Sequence, residues 1–347
     1  MDPVGIDHVA LLTDRLDHVV EYFRDAMGFA AHPPVTSDDG TEQHTSVLLT
    51  QGRIRVVATA PTAGRGRVSD YVARHADGVA DIAMGVEDAA AAFDTAVRRG
   101  ARAVAAPAET RLADGARAVT ATVSGPGDLA HTFVQRLDGT AGVDDGLLKT
   151  IDHIAICLPG GRLVPTTEFY VEVFGFRTIF EELVEVGDQA IDSKVVQNNA
   201  GDITFTLIEP DVTRSPGQID RFLTDHRGAG VQHLAFLTDD ITVAVPRLSG
   251  QGVTFLQAPQ SYYTMLAGRA PELTGEIDTL RAVDVLVDRD HWGHLLQIFT
   301  QSPHTRGTLF YELIERRNAR TFGSGNVRAL YEAVEHDRVT STVPQRS

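Results

Sequence analysis

The chain has 347 residues, 43% hydrophobic and 22% charged, which is the make-up of a globular protein long enough for two domains. Its formal net charge of −16 argues against tracking a phosphate backbone, and no basic stretch with interleaved aromatics offsets it. The lone cysteine, Cys157, excludes an intrachain disulfide.

The opening MDPVGIDHVALL lacks the basic start and long apolar core of a signal peptide. No apolar run approaches the ~18 residues of a membrane span, so a cytoplasmic protein is expected.

In chain order, the first predicted strand carries Gly5-Ile6-Asp7-His8-Val9-Ala10. The amphipathic segment VVEYFRDAMGF follows and closes at Gly28-Phe29, with a glycine able to take the left-handed conformation that ends a helix. Gly78-Val79-Ala80-Asp81-Ile82-Ala83 comes next, then an acidic residue, a helix, and a strand ending in Ala-Pro at 106–107. The Gly- and Asp-rich stretch RLDGTAGVDDGLLKT, residues 136–150, marks a boundary.

Beyond it the pattern repeats. Thr150-Ile151-Asp152-His153-Ile154-Ala155 matches the first strand, and TTEFYVEVFGF closes at Gly175-Phe176. Gly230-Val231-Gln232-His233-Leu234-Ala235 matches the second motif, with another Ala-Pro at 258–259. Each half therefore holds two units of strand, helix, then strands, which favours an α+β class. SPGQIDRFL is predicted helical, with Ser215 as N-cap and Pro216 as first helical residue. NVRALYEAVEHDR, 326–338, reads as a C-terminal helix, followed by a polar tail at 339–347. The expected domains are 1–140 and 150–338.

His153 and His233 occupy corresponding places in the two units of the C-terminal half, each inside an apolar, strand-like run. Glu312 lies in a third such run, TLFYELIE. A buried carboxylate is costly unless neutralised, and a divalent metal would neutralise it. Two imidazoles and one carboxylate with open positions are the ligand set of non-haem iron(II) oxygenases. A single strand histidine is more often structural. The repeat pairs these two, but residue type and spacing alone leave Glu209 and Glu315 open beside Glu312. The N-terminal half keeps His8 but has Asp81 where His233 stands, and shows no evident counterpart of FYELIE. It reads as a non-metal scaffold.

The segments IDHIAI, GAGVQHLAF, SYY, LLQIFT, FYELIER and TFGSGNVRALYEAVE, in that order over residues 151–336, resemble the family of 4-hydroxyphenylpyruvate dioxygenases and 4-hydroxymandelate synthases. The resemblance implies two vicinal-oxygen-chelate domains, each of paired βαβββ units curled into an open barrel. It implies an Fe(II) cofactor held by His153, His233 and Glu312. The implied substrates are 4-hydroxyphenylpyruvate and O2, with oxidative decarboxylation and no separate 2-oxoglutarate. It also implies a homo-oligomer, a dimer, and a C-terminal helix acting as a lid over the site. Synthases of this family feed hydroxyphenylglycine into peptide antibiotics.

Two products are open to the family: homogentisate by ring attack, and 4-hydroxymandelate by benzylic hydroxylation. The dioxygenase branch usually reads Pro-Ile-Asn-Glu-Pro where this chain has Thr206-Leu207-Ile208-Glu209-Pro210, and Phe where this chain has Val327. Thr206, Ile208 and Val327 resemble the synthase pattern. Ser193, Gln218, Gln232 and Gln297 are further polar substrate contacts by motif, and Phe299, Phe310 and Phe322 the apolar walls. His291 and His294, either side of Trp292 in RDHWGHLL, read as a surface turn. FGSGNVR lacks a phosphate-binding pattern and reads as a bend before a helix. Cys157 has no paired base in view and reads as buried and inert.

Overall fold

The computed structural model describes residues 2–38, 40–138, 146–323 and 325–326. The N-terminal half runs β1 (Ile6–Leu12), α1 (Leu16–Glu21), β2 (Ala30–Ala31), β3 (Val35–Asp38), β4 (Glu42–Gln51), β5 (Ile54–Gly64), α2 (Arg67–His75), β6 (Gly78–Gly85), α3 (Ala89–Arg98), β7 (Ala103–Arg111), β8 (Arg117–Ser124) and β9 (Ala130–Arg136). The C-terminal half runs β10 (Leu148–Cys157), α4 (Leu163–Phe174), β11 (Arg177–Val186), β12 (Gln189–Gln197), β13 (Thr204–Pro210), α5 (Gln218–His226), β14 (Gly230–Thr238), α6 (Ile241–Gly250), α7 (Gln260–Arg269), α8 (Ile277–Ala282), β15 (Leu286–Arg289), β16 (His294–Phe299) and β17 (Phe310–Arg317). No helix among the described residues is long and apolar enough to cross a membrane.

Each half forms one mixed sheet. The orders are β2-β4-β5-β1-β6-β9-β8-β7, with β3 on β4, and β11-β12-β13-β10-β14-β17-β16-β15. The first strands of the two units meet antiparallel at the centre, β1 on β6 and β10 on β14. Each also pairs parallel with the last strand of its own unit. This is the expected α+β architecture of paired βαβββ units. α7 and α8 lengthen the C-terminal half; the expected strand ending at 258–259 is only an isolated bridge at Phe255 leading into α7.

Local chemistry explains the helix ends. Gly28 and Gly175 both sit at φ 76°. Phe29 N donates to Phe23 O at 2.8 Å and Phe176 N to Tyr170 O at 3.2 Å, each reaching back six positions across the left-handed glycine to close its helix. Asp88 and Asp240 cap α3 and α6 through their first-turn amides.

The predicted start of α5 is corrected. Gly217, not Ser215, is the N-cap, because Gly217 N donates to Asp220 Oδ2 at 2.7 Å, whereas Ser215 N is drawn off to Asp188 O at 2.9 Å.

Bulges in the central pairs repeat with the same offset. Pairing skips Asp7 between Ile6 and His8, and Asp152 between Ile151 and His153. On the facing strands it skips Ala80 and Gln232. An extra residue in one strand re-aims its neighbours and tightens the twist. The register also supplies the counterpart of FYELIE. Ala235 pairs with Glu312 and Ala83 with Thr132, so His131–Arg136 stands where Tyr311–Arg316 stands. Thr132 occupies the place of Glu312.

One apolar core runs through both halves. Phe23 packs edge-on against Tyr311 at 5.2 Å, and Phe29 against Phe236 at 6.1 Å. Buried histidines line this seam. His131 Nε2 lies 2.9 Å from the Tyr170 hydroxyl, and His226 stacks on His75 at 4.4 Å.

Burial pushes His131 down to about 4; burial, together with the nearby His75 charge, does the same to His226. Above the unfolded value of 6.5 both are neutral in either state. Between 6.5 and 4 the unfolded chain takes up protons that the folded chain refuses, so stability falls with acidification, by on the order of 3 kcal/mol per histidine. Melting temperature measured from pH 7.5 to 5 is expected to drop, and His131→Gln is expected to flatten the slope.

Candidate metal centre

Alternate residues of a strand share a face of its sheet. On β10 this places His153 and Ala155 together; the antiparallel partners opposite them are Ala235 and His233. Glu312 lies beside Ala235 on β17, and Phe299 of β16 opposite Glu312. His153, His233 and Glu312 thus meet on one face of three adjacent strands. Glu312 Oε2 is 3.4 Å from the Nε2 atoms of both histidines, and one donor atom from each residue fits within 4.8 Å of the others. All three are buried. They are the one grouping of this kind among the described residues.

The bulges set the imidazoles. Asp152, the skipped residue, accepts from His153 Nδ1 at 2.9 Å, which turns Nε2 toward Glu312, where it can bind a metal once its proton is displaced. Arg316 holds Asp152 with two hydrogen bonds, Nε to Oδ2 at 2.6 Å and Nη2 to Oδ1 at 2.7 Å. Gln232, skipped on β14, places Oε1 3.3 Å from His233 Nδ1.

The electrostatics favour a cation at the centre. Burial raises the Glu312 carboxyl against the pull of His153. Burial also opposes charge on His153, but Asp152 and Glu312 outweigh it and lift the group to about 9. Burial and then the His153 charge drive His233 well below its ordinary range. Asp152 is itself buried, yet Arg316 and His153 hold it well below the usual carboxylate range. With His153 neutral, the triad carries one uncompensated negative charge and two inward lone pairs, a donor set that fits a divalent metal.

The competing carboxylates are committed elsewhere. Glu209 Oε2 accepts from the Arg162 and Leu163 amides, both at 2.8 Å, at the start of α4. Glu315 accepts from Ile241 N at 2.9 Å at the start of α6 and from Arg317 Nε at 2.6 Å. Both serve helix N-termini.

All three phenylalanines lie against the histidines. Phe310 stacks on His233 at 5.1 Å, Phe299 meets it edge-on at 6.1 Å, and Phe322 meets His153 edge-on at 5.3 Å. Register carries Thr206, paired with Ala155, onto the same face, together with Ile208 and Ser193. Gln297 follows, two residues from Phe299. Thr206 Oγ1 and Gln297 Oε1 are buried without a hydrogen-bond partner among the described residues. The Ser193 hydroxyl donates to Glu182 O at 3.1 Å. Gln218 is not brought in: it is exposed at the first position of α5, while Ile219 and Phe222 of that helix pack on Cys157. Burial pushes that thiol well up. Val327 and the rest of the predicted 326–338 helix, like the 339–347 tail, lie outside the described residues. His291 sits in a turn, and His294 opens β16 with Nε2 on Glu272 at 2.7 Å.

The sequence reading missed Asp152, Arg316 and Gly323. An Asp before the histidine in both halves was the available signal for the first. Gly323 has φ 78°, and a Cβ there would come within 2.0 Å of Gln297 Oε1, so only glycine lets the Phe322 segment lie this close. The SYY tyrosines turn out to be anchors. Tyr262 OH lies 2.8 Å from the Asn326 side chain and also donates to Val287 O.

Models of the glyoxalase/bleomycin resistance protein/dioxygenase superfamily match residues 7–120 and 150–298. A probable 4-hydroxyphenylpyruvate dioxygenase 2 of Aspergillus fumigatus is 31% identical over 96% of this chain and 94% of its own length. The chain belongs to the 4-hydroxyphenylpyruvate dioxygenase family. The Danio rerio 4-hydroxyphenylpyruvate dioxygenase is 30% identical over 96% of this chain and 91% of its own. Among solved structures, a mutant of 4-hydroxymandelate synthase from Streptomyces coelicolor aligns with TM-score 0.87 and 44% identity, covering 97% of this chain and 100% of that one. The chain is thus an enzyme of a dioxygenase family, built on two domains of this superfamily.

Two substitutions separate ligand support from helix capping. Arg316→Met is expected to weaken metal binding by about 10–100-fold, by freeing Asp152 and with it His153. Glu209→Ala is expected to cost about 1 kcal/mol of stability with metal affinity unchanged. Metal titration and thermal melts of both variants check this.

Proposed function

We propose that this enzyme is an iron(II)-dependent oxygenase that converts 4-hydroxyphenylpyruvate and O2 to 4-hydroxymandelate and CO2. The observation that carries the reading is the 44% identity to a 4-hydroxymandelate synthase over the whole chain, against about 30% for the dioxygenases. His153, His233 and Glu312 would hold the metal, and Asp152 with Arg316 would keep His153 in the tautomer that binds. Iron(II), when bound, supplies the redox chemistry and the open positions for a keto acid and dioxygen, with the substrate as its own electron donor.

The chain's own residues then select the reaction. Phe299, Phe310 and Phe322 make a dry, aromatic surround that excludes water and flanks the substrate ring. Thr206 Oγ1 and Gln297 Oε1, buried and without a partner among the described residues, would hydrogen-bond polar ends of the substrate. Ile208 presents a branched apolar side chain where the dioxygenase branch has an amide. With no amide to hold it, the ring can tilt and bring the benzylic carbon, rather than the ring, toward the oxidant. Small changes in pose have large effects once substrates are held.

The second reading is the homogentisate-forming dioxygenase, favoured by the curated relatives' names. Incubating the iron-loaded enzyme with 4-hydroxyphenylpyruvate and O2, then separating products, distinguishes them. 4-Hydroxymandelate is expected; homogentisate as the main product would overturn the assignment. Ile208→Asn and Val327→Phe are each expected to divert a measurable share of product toward ring attack.

A further inference from the structure

One face of the N-terminal sheet repeats the framework of the metal centre. Asp7, skipped in the pairing like Asp152, accepts from His8 Nδ1 at 2.8 Å. Arg136 holds Asp7 through Nε at 2.6 Å and Nη2 at 3.0 Å, as Arg316 holds Asp152. Ala10 pairs with Asp81 and Ala83 with Thr132, just as Ala155 pairs with His233 and Ala235 with Glu312. His8, Asp81 and Thr132 therefore hold the three ligand places.

Two of these residues can still bind a metal. Asp81 is buried, and its Oδ1 has no hydrogen-bond partner among the described residues. The third, Thr132, offers only a hydroxyl, which donates to Asp81 Oδ2 at 2.5 Å and lies 2.9 Å from Thr122 Oγ1. Beside the C-terminal triad this set lacks its third ligand, the carboxylate at the place of Glu312. Space is not the obstacle. Thr122 and Ala130 stand at the register positions of Phe299 and Phe310, so small side chains replace the rings there, and a neighbouring cavity of about 210 Å³ is lined by His8 and Thr132 together with Asp114, Arg55, Arg111 and Arg136.

We infer that the N-terminal half is a divalent-metal centre one ligand short, and that Thr132→Glu closes it. The ion would be a first-row divalent cation accepting one imidazole and two carboxylates, a set suited to manganese, iron or cobalt. The inference rests on the C-terminal triad being a metal centre, and the experiment keeps the two apart.

The test is to load the full-length protein with Co(II), remove excess ion, and measure cobalt per chain with the visible spectrum. One cobalt in the wild type and two in Thr132→Glu are expected, with a return to one in Thr132→Glu/His8→Ala. A folded Thr132→Glu that keeps one cobalt, or a wild type that already takes two, overturns the inference. A wild type with none would sink the C-terminal reading instead. If Thr132→Glu does not fold, Asp81→His/Thr132→Glu, which reproduces the C-terminal donor set, is judged by the same counts.

Discussion

The arrangement turns on a buried carboxylate. Glu312 lies beneath the sheet surface between two imidazoles that cannot all be neutral without leaving a charge uncompensated. An isolated carboxylate in that setting costs several kcal/mol. The strands around it are arranged to make a cation the natural solution. Arg316 hydrogen-bonds Asp152 rather than Glu312, so its guanidinium fixes the group that orients His153 and acts on Glu312 only from a distance. Glu209 and Glu315 are spent on helix N-termini.

The bulges explain how strands deliver this geometry. A regular strand sends neighbouring side chains to opposite faces, so an Asp and a His in sequence could not cooperate. Skipping Asp152 and Gln232 in the ladder sets each beside the imidazole that follows it. The same irregularities persist at Asp7 and Ala80, where no complete ligand set remains. The bulges and the Asp–Arg pair are therefore common to both halves, while the full ligand set stands in the C-terminal half. The shared apolar core, with Tyr311 of β17 packed on Phe23 and stacked at 5.9 Å on Tyr22, ties the strand that carries Glu312 to the opposite half.

Much of this was legible in the sequence because it is carried by residue types repeated in order. IDH recurs before an apolar run, and GF recurs where a helix must end on a left-handed residue. What was not legible depends on contacts across the fold. Glu312 could not be separated from Glu209 and Glu315 by pattern, since capping a helix from a distant strand leaves no local mark. The counterpart of FYELIE was invisible because His131–Arg136 shares with it burial and an arginine but little side-chain chemistry. The start of α5 went astray because the Gly217–Asp220 bond outcompeted a Ser-Pro signal. Gln218 was assigned by motif, and its exposure follows from which face of α5 the cluster around Cys157 recruits.

The most direct test is anomalous diffraction at the iron edge from crystals of the protein reconstituted anaerobically with iron(II). The account predicts one strong peak per chain within bonding distance of His153 Nε2, His233 Nε2 and a Glu312 carboxylate oxygen. No peak there, or iron held at other residues, would contradict it.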